Sequence, residues 1–269
     1  MSVGAAGSFN PGPSWQVKGS GDFNGDGKSD ILWQGSDGTP AIWLMDGTNA
    51  VSVGAAGPFN PGPSWQVKGS GDFNGDGKSD ILWQGSDGTP AIWLMDGTNA
   101  VSVGAAGPFN PGPSWQIKGT GDFNGDGKSD ILWQGSDGTP AIWLMDGTNA
   151  VSVGAVGPFN PGPSWQIKGS GDFNGDGKSD ILWQGSDGTP AIWLMDGNAF
   201  VTGVGASGIQ SGRVVAWWAA GQLNNGDINA DILWQHDGGQ AVGVAHGRDG
   251  RDRKHWSLAG NPGAVIGTS

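Results

Sequence analysis

The chain has 269 residues and a formal net charge of −12 at pH 7, and all 25 of its acidic residues are aspartate. That charge disfavours nucleic acid and anionic membranes as partners and favours cations. Glycine reaches 54 residues, yet 16 Trp and 9 Phe exclude a disordered low-complexity chain, and zero Cys excludes disulfides and thiol chemistry.

No apolar run approaches the roughly 18 residues of a membrane-spanning helix, and no signal peptide follows Met1, so no membrane insertion is expected. Taken in chain order, the first segment, MSVGAAG (1–7), has the character of an outermost strand. SWQVKGSGDF (14–23) reads as an innermost strand whose alternating glycines suit close backbone approach. After an acidic loop come DILWQ (30–34), the turn GSDGTP and AIWLM (41–45), strands apolar on both faces as in a sheet held between neighbours. A DGT turn leads to NAVSVGAA (49–56), and GPFNPGPS (57–64) crosses to the next unit. Gly, Pro, Asn and Asp punctuate every window of helical length, which excludes long helices.

Residues 51–100, 101–150 and 151–197 then reprint this unit with scattered conservative changes, such as Val67 against Ile117 and Ser70 against Thr120. A fifth, eroded copy spans about 198–247, and the tail 248–269 no longer follows the repeat. Four short strands per 50-residue unit predict an all-β fold, a β-propeller of four-stranded blades, with five blades in a single domain over 1–269. Kelch repeats share the period but not the glycine doublet and tyrosine, and a nonapeptide β-roll does not share the period. The last blade's outer strand is expected from MSVGAAG (1–7) or from HWSLAG (255–260).

GDFNGDGKSD (21–30) recurs letter for letter at 71–80, 121–130 and 171–180. Counted from Asp22, oxygen-bearing side chains fall at positions 1, 3, 5 and 9 with glycine at 6, the start of a calcium-loop pattern. Asp22, Asn24, Asp26 and Asp30 are the expected side-chain ligands and Lys28 the expected carbonyl ligand. The corresponding sets are Asp72, Asn74, Asp76, Lys78 and Asp80, then Asp122, Asn124, Asp126, Lys128 and Asp130, then Asp172, Asn174, Asp176, Lys178 and Asp180. The plainer alternative is a set of Asx turns joining two strands, although such turns need only one or two of these residues. The fifth copy, QLNNGDINAD, replaces the first Asp by Gln222 and gains a residue, so no site is expected there.

GDFNGDGKSDILW resembles the FG-GAP or VCBS repeat, the unit of integrin-α-like β-propellers, and the likeness covers residues 14–247. It implies a propeller with calcium between the first and second strands of each blade, on the ligand positions already named. It also implies an extracellular or cell-surface setting, since members occur in integrin heads, bacterial surface proteins and some fungal lectins.

An enzyme is not expected. The only histidines, His236, His246 and His255, lie in the eroded end, and Cys and Glu are missing. Trp33 and Trp43 sit mid-strand and read as filling between blades, whereas Trp15 stands at the edge of a crossover loop. The crossover loop at 57–64 and the turn at 85–90 are expected on one face, with the acidic loop and DGT turn on the other. A sugar site is therefore expected at each junction on the first face, from Trp65, Phe59 and Asn60 with Gln84, Ser86 and Asp87. Its repeats take Trp115, Phe109 and Asn110, then Trp165, Phe159 and Asn160. The leading expectation is a calcium-stabilised, multivalent carbohydrate-binding module with glycans as partners. A protein-adhesion module with a surface-protein partner, or a ligand-free scaffold, is the alternative.

Overall fold

The computed structural model describes residues 10–57, 59–157 and 160–205, and beyond them the short strands at 214–215, 220–221, 231–236 and 242–245. All regular structure among the described residues is β, and none of it is a helix long and apolar enough to cross a membrane.

Four complete antiparallel sheets follow one another along the chain. The first consists of β1 (Trp15–Gly21), β2 (Asp30–Gly35), β3 (Pro40–Asp46) and β4 (Asn49–Ala55), paired in that order. The second is β5 (Trp65–Gly71), β6 (Asp80–Gly85), β7 (Pro90–Asp96) and β8 (Asn99–Ala105). The third is β9 (Trp115–Gly121), β10 (Asp130–Gly135), β11 (Pro140–Asp146) and β12 (Asn149–Ala155). The fourth is β13 (Trp165–Gly171), β14 (Asp180–Gly185), β15 (Pro190–Asp196) and β16 (Ala199–Gly205). Each is a four-stranded meander of propeller-blade type, with boundaries within a residue or two of those read from the sequence.

In the fifth copy, β17 (Val214–Val215) and β18 (Ala220–Gly221) both pair with one edge of β19 (Asp231–His236), and β20 (Val242–Ala245) pairs with its other edge. This reproduces the first three strands of a blade. Both rivals for its outer strand lie outside the described residues, as does the acidic-loop equivalent at 222–230.

The chain divides into two compact units, Met1–Thr120 with Gly127–Trp133 and Trp143–Val153, and Gly121–Asp126 with Gln134–Ile142 and Gly154–Ser269. The division falls within the third repeat unit, at residues 121–154. In a repeat chain each blade touches only its neighbours, so no single blade edge is a natural place to divide it.

In the first unit the sheets pack face to face through an apolar layer. Phe23, Leu32 and Ile42 from the first blade meet Val67, Ile81, Trp83, Trp93 and Met95 from the second. Trp83 is fully buried and its ring centroid lies 5.1 Å from that of Trp93, so these indoles fill the inter-blade space as their mid-strand positions suggested. The innermost strands run side by side: Ser70 Oγ donates to the Ser20 carbonyl at 3.0 Å, and Thr120 Oγ1 to that of Ser70 at 2.9 Å. Glycine also lets the end of β1 meet the next blade's acidic loop, because a Cβ on Gly21 would stand 2.7 Å from Ser79 Cβ. In the second unit β18 lies beside β13 in the same relation.

Candidate functional site

The acidic loop connects β1 to β2 and is folded by its own side chains. Asp22 Oδ1 accepts the N–H groups of Gly25 (2.7 Å) and Asp26 (3.1 Å), and Oδ2 accepts that of Gly27 (2.7 Å). Asn24 Oδ1 takes Asp26 N–H at 3.0 Å and Asp26 Oδ1 takes Lys28 N–H at 2.9 Å. Gly25 and Gly27 sit at φ 76° and 81°, a left-handed conformation that glycine adopts freely. Asp30 is fully buried, its carboxylate accepting from Phe23 N (2.9 Å) and Met45 N (2.8 Å) and so tying the loop to β3.

The arrangement recurs at Asp72, Asn74, Asp76 and Asp80, at Asp122, Asn124, Asp126 and Asp130, and at Asp172, Asn174, Asp176 and Asp180. Successive loops are joined main chain to main chain: Ser79 N donates to the Asp22 carbonyl, and Ser129 N to that of Asp72, both at 2.6 Å. Lys28 turns its ammonium toward Asp46 (3.4 Å) in the DGT turn, and Lys78 and Lys128 do the same with Asp96 and Asp146 at 2.8 and 2.7 Å. The Lys28 ammonium also lies 3.6 Å from Asp26 Oδ2 within the loop, so this side chain bridges the acidic loop and the turn.

Burial pushes the Asp80 carboxyl up to about 7; N–H groups from Met95 and Phe73 oppose this, and the neighbouring Asp76 and Asp72 charges add to it. Asp180 is pushed up to about 6 for the same reasons. A positive charge placed here favours the ionised carboxylate. The donor set fits a hard divalent cation: it is all oxygen, and each carboxylate oxygen that accepts a single N–H keeps a lone pair. Among the described residues no three acidic or imidazole groups already converge on one point, so these loops are Asx-turn frames first.

The opposite loop face is organised differently from the expected sugar site. Gln84 is 2% exposed and engaged through both atoms of its amide: Nε2 donates to the Trp115 carbonyl at 2.8 Å, and Oε1 accepts Ile117 N–H at 3.3 Å. Gln34 holds Trp65 O and Val67 N in the same way, and Gln134 holds Trp165 O and Ile167 N. Each glutamine imitates a peptide group toward the neighbouring innermost strand, and Gln34 does so beside the bulge at Val67–Gly69 of β5. It is an inter-blade staple, and its burial takes it out of reach of a ligand.

Replacing Gln84 with Ala strands a buried N–H and a buried carbonyl, and should cost about 2–5 kcal/mol. The midpoint of denaturant unfolding measures this. A loss below about 1 kcal/mol would mean that water serves the two groups equally well.

The remaining expected residues are likewise redistributed. Asn60 donates to the Asp37 carbonyl (3.3 Å) and accepts Gly62 N–H (2.8 Å), so its partner lies in the preceding turn and not at Asp87. Asp87 is instead joined by Asn110, whose Nδ2 reaches the Asp87 carbonyl (3.3 Å) and Thr89 Oγ1 (2.8 Å), and Asn160 treats Asp137 and Thr139 alike. Hydrogen bonds from the Thr89 amide and hydroxyl hold the Asp87 carboxyl below the usual range. Phe59 packs edge-on against Trp93 at 5.0 Å, and Phe109 against Trp143 at 5.2 Å; Phe159 lies outside the described residues.

Trp93 stands opposite Ile81 in the ladder whereas Trp65 stands opposite Gly85, so Phe59 and Trp65 serve opposite ends of the blade. What stays together is Trp65, whose ring lies over Gly85, with exposed Ser86 and Asp87; Ser86 N donates to the Ser64 carbonyl at 2.8 Å. Trp115 and Trp165 begin their strands identically, each donating its amide to the glycine three residues earlier at 3.1 Å. The two-face arrangement itself is present: lysine–aspartate pairs join the acidic loop to the DGT turn, and asparagines join the crossover to the GSDG turn.

No known protein family and no curated protein matches the chain. Among solved structures it is similar to the WD40 domain of Toxoplasma gondii coronin, with 12% identity and a TM-score of 0.48. The likeness covers 87% of this chain and 56% of that one, so the chain spans a little over half the length of that structure.

Proposed function

We propose that the chain is a non-enzymatic, calcium-stabilised, multivalent binding module of the FG-GAP type, acting at an extracellular or cell surface and taking carbohydrate at repeated positions on one loop face. The observation that carries this reading is repetition. Blade after blade presents the same half-buried tryptophan over a glycine, flanked by the same exposed serine and aspartate. An indole face meets the C–H face of a sugar ring, and weak identical sites gain strength together on a surface bearing many sugars. Because Asn60 and Asn110 are engaged in the loops and Gln84 between blades, hydroxyl recognition falls to Ser86, Asp87 and the main chain.

The aspartate loops would hold the cations through Asp72, Asn74, Asp76 and Asp80 and their equivalents, with the Lys78 carbonyl. A bound cation supplies charge compensation and rigidity to the opposite face of the blade.

A protein-adhesion reading is favoured by one feature, the half-exposed rings of Phe59 and Phe109 and the exposed valines Val51 and Val101 beyond them. A glycan array separates the two. Each isolated site is expected to bind near the millimolar range, about −4 kcal/mol, and replacing Trp65, Trp115 and Trp165 together by Ala should abolish array binding while the β spectrum survives. Unchanged binding in that variant would place the site elsewhere, and a blank array would leave the adhesion reading.

A further inference from the structure

Each full unit carries two lysines, one in the acidic loop and one on the innermost strand. The Lys28 class is paired with aspartates at the loop face. The other class, Lys18, Lys68 and Lys118, lies on the innermost strands β1, β5 and β9 in the first unit. Among the described residues, Lys18 donates to the amide oxygens of Gln16 (3.1 Å) and of Gln66 on the neighbouring strand (3.5 Å). Among the described residues, neither Lys18 nor Lys68 has a carboxylate within ion-pairing distance, in a chain with 25 aspartates. Both are half-buried, and their strands are locked side by side by the Ser70 bond to Ser20. Burial, and secondly the Lys18 charge, hold the Lys68 ammonium below its usual range.

Two ammonium groups fixed near each other without a counter-charge are costly in an isolated protein, and an anion removes that cost. We infer that the inner-strand lysines Lys18 and Lys68, with Gln16 and Gln66 beside them and Lys118 next in the row, form a binding site for a doubly charged oxyanion, a phosphate or sulfate group. The class follows from the donors. Flexible ammoniums on adjacent strands suit a compact ion with oxygens on several sides, whereas a planar carboxylate is better served by arginine, which the four full repeats lack. The site uses none of the sugar-face groups Trp65, Ser86 and Asp87 and does not depend on them.

The test is a titration of the full chain with inorganic phosphate, followed by phosphorus NMR line width and by calorimetry, with ionic strength held constant by chloride. Saturable binding in the millimolar range is expected, with chloride alone giving none. Lys68→Met should weaken it about tenfold and the pair Lys18→Met/Lys68→Met should remove saturation, while Lys68→Arg retains it. Both Met variants should melt no lower than the wild type, because they delete a repulsion. A sulfated oligosaccharide that competes with phosphate would identify a glycan source, and competition absent with the unsulfated sugar fixes the sulfate group as the determinant. Phosphate that behaves as chloride does in the wild type, or a double Met variant that titrates as the wild type does, overturns the site.

Discussion

Chelation of calcium should lower the melting temperature by more than any single substitution away from the core. Four loops of identical sequence carry the same aspartate frame. With affinities of about 10⁻⁴–10⁻³ M, as in extracellular calcium modules, about 10 mM free calcium contributes roughly 1.4–2.7 kcal/mol per site. Four independent sites sum to about 6–11 kcal/mol, and for a chain of this size that corresponds to about 12 °C or more. Asp76→Ala should remove one site of four and about a quarter of the shift, since the Asp72 and Asp80 hydrogen bonds remain to hold the turn. Calorimetry on chelator-treated protein counts the sites, and thermal melts in calcium and in chelator measure the shift. Identical melts in the two buffers, together with no heat of binding, would reduce the loops to Asx turns.

The second large effect is steric. Gly88 lies in the turn between β6 and β7 at φ 94°, and a Cβ there would stand 2.8 Å from Pro113 N and overlap the Gly112 carbonyl of the next crossover loop. Gly88→Ala should therefore cost about 3–5 kcal/mol, backbone strain and main-chain overlap together. Gly112 supplies the control. Its φ is 89°, yet a Cβ on it meets nothing within 4 Å, so Gly112→Ala carries strain alone, roughly 1–2 kcal/mol. The difference between the two variants in denaturant midpoint isolates the contact that locks one blade's turn to the next crossover. Equal losses would show that this contact gives way freely.

Strands, turns and the two-face division of loops were legible in the sequence because each is decided within about ten residues. Ile-Leu-Trp runs bounded by Asp and Gly can only be short strands. A β-meander then places alternate connections at opposite ends of the blade, which is why the Lys78–Asp96 and Asn110–Asp87 pairs appear on the expected faces. The aspartate loop was legible for the same reason, its hydrogen bonds spanning two to seven residues. Choice of partner between copies was not. Asn60 stands 23 residues after Asp37 and 27 before Asp87, in identical surroundings, and only the packing of blade on blade selects Asp37. Gln84 looked like a sugar ligand because its partners, Trp115 O and Ile117 N, lie 31 and 33 residues away on a strand that only blade packing brings to it. The lysine row went unread for a related reason. Its members are 50 residues apart along the chain, and a charge that looks solvated in one repeat becomes half-buried only when neighbouring strands set it beside its own copy, as Lys18 is set beside Gln66 and Lys68.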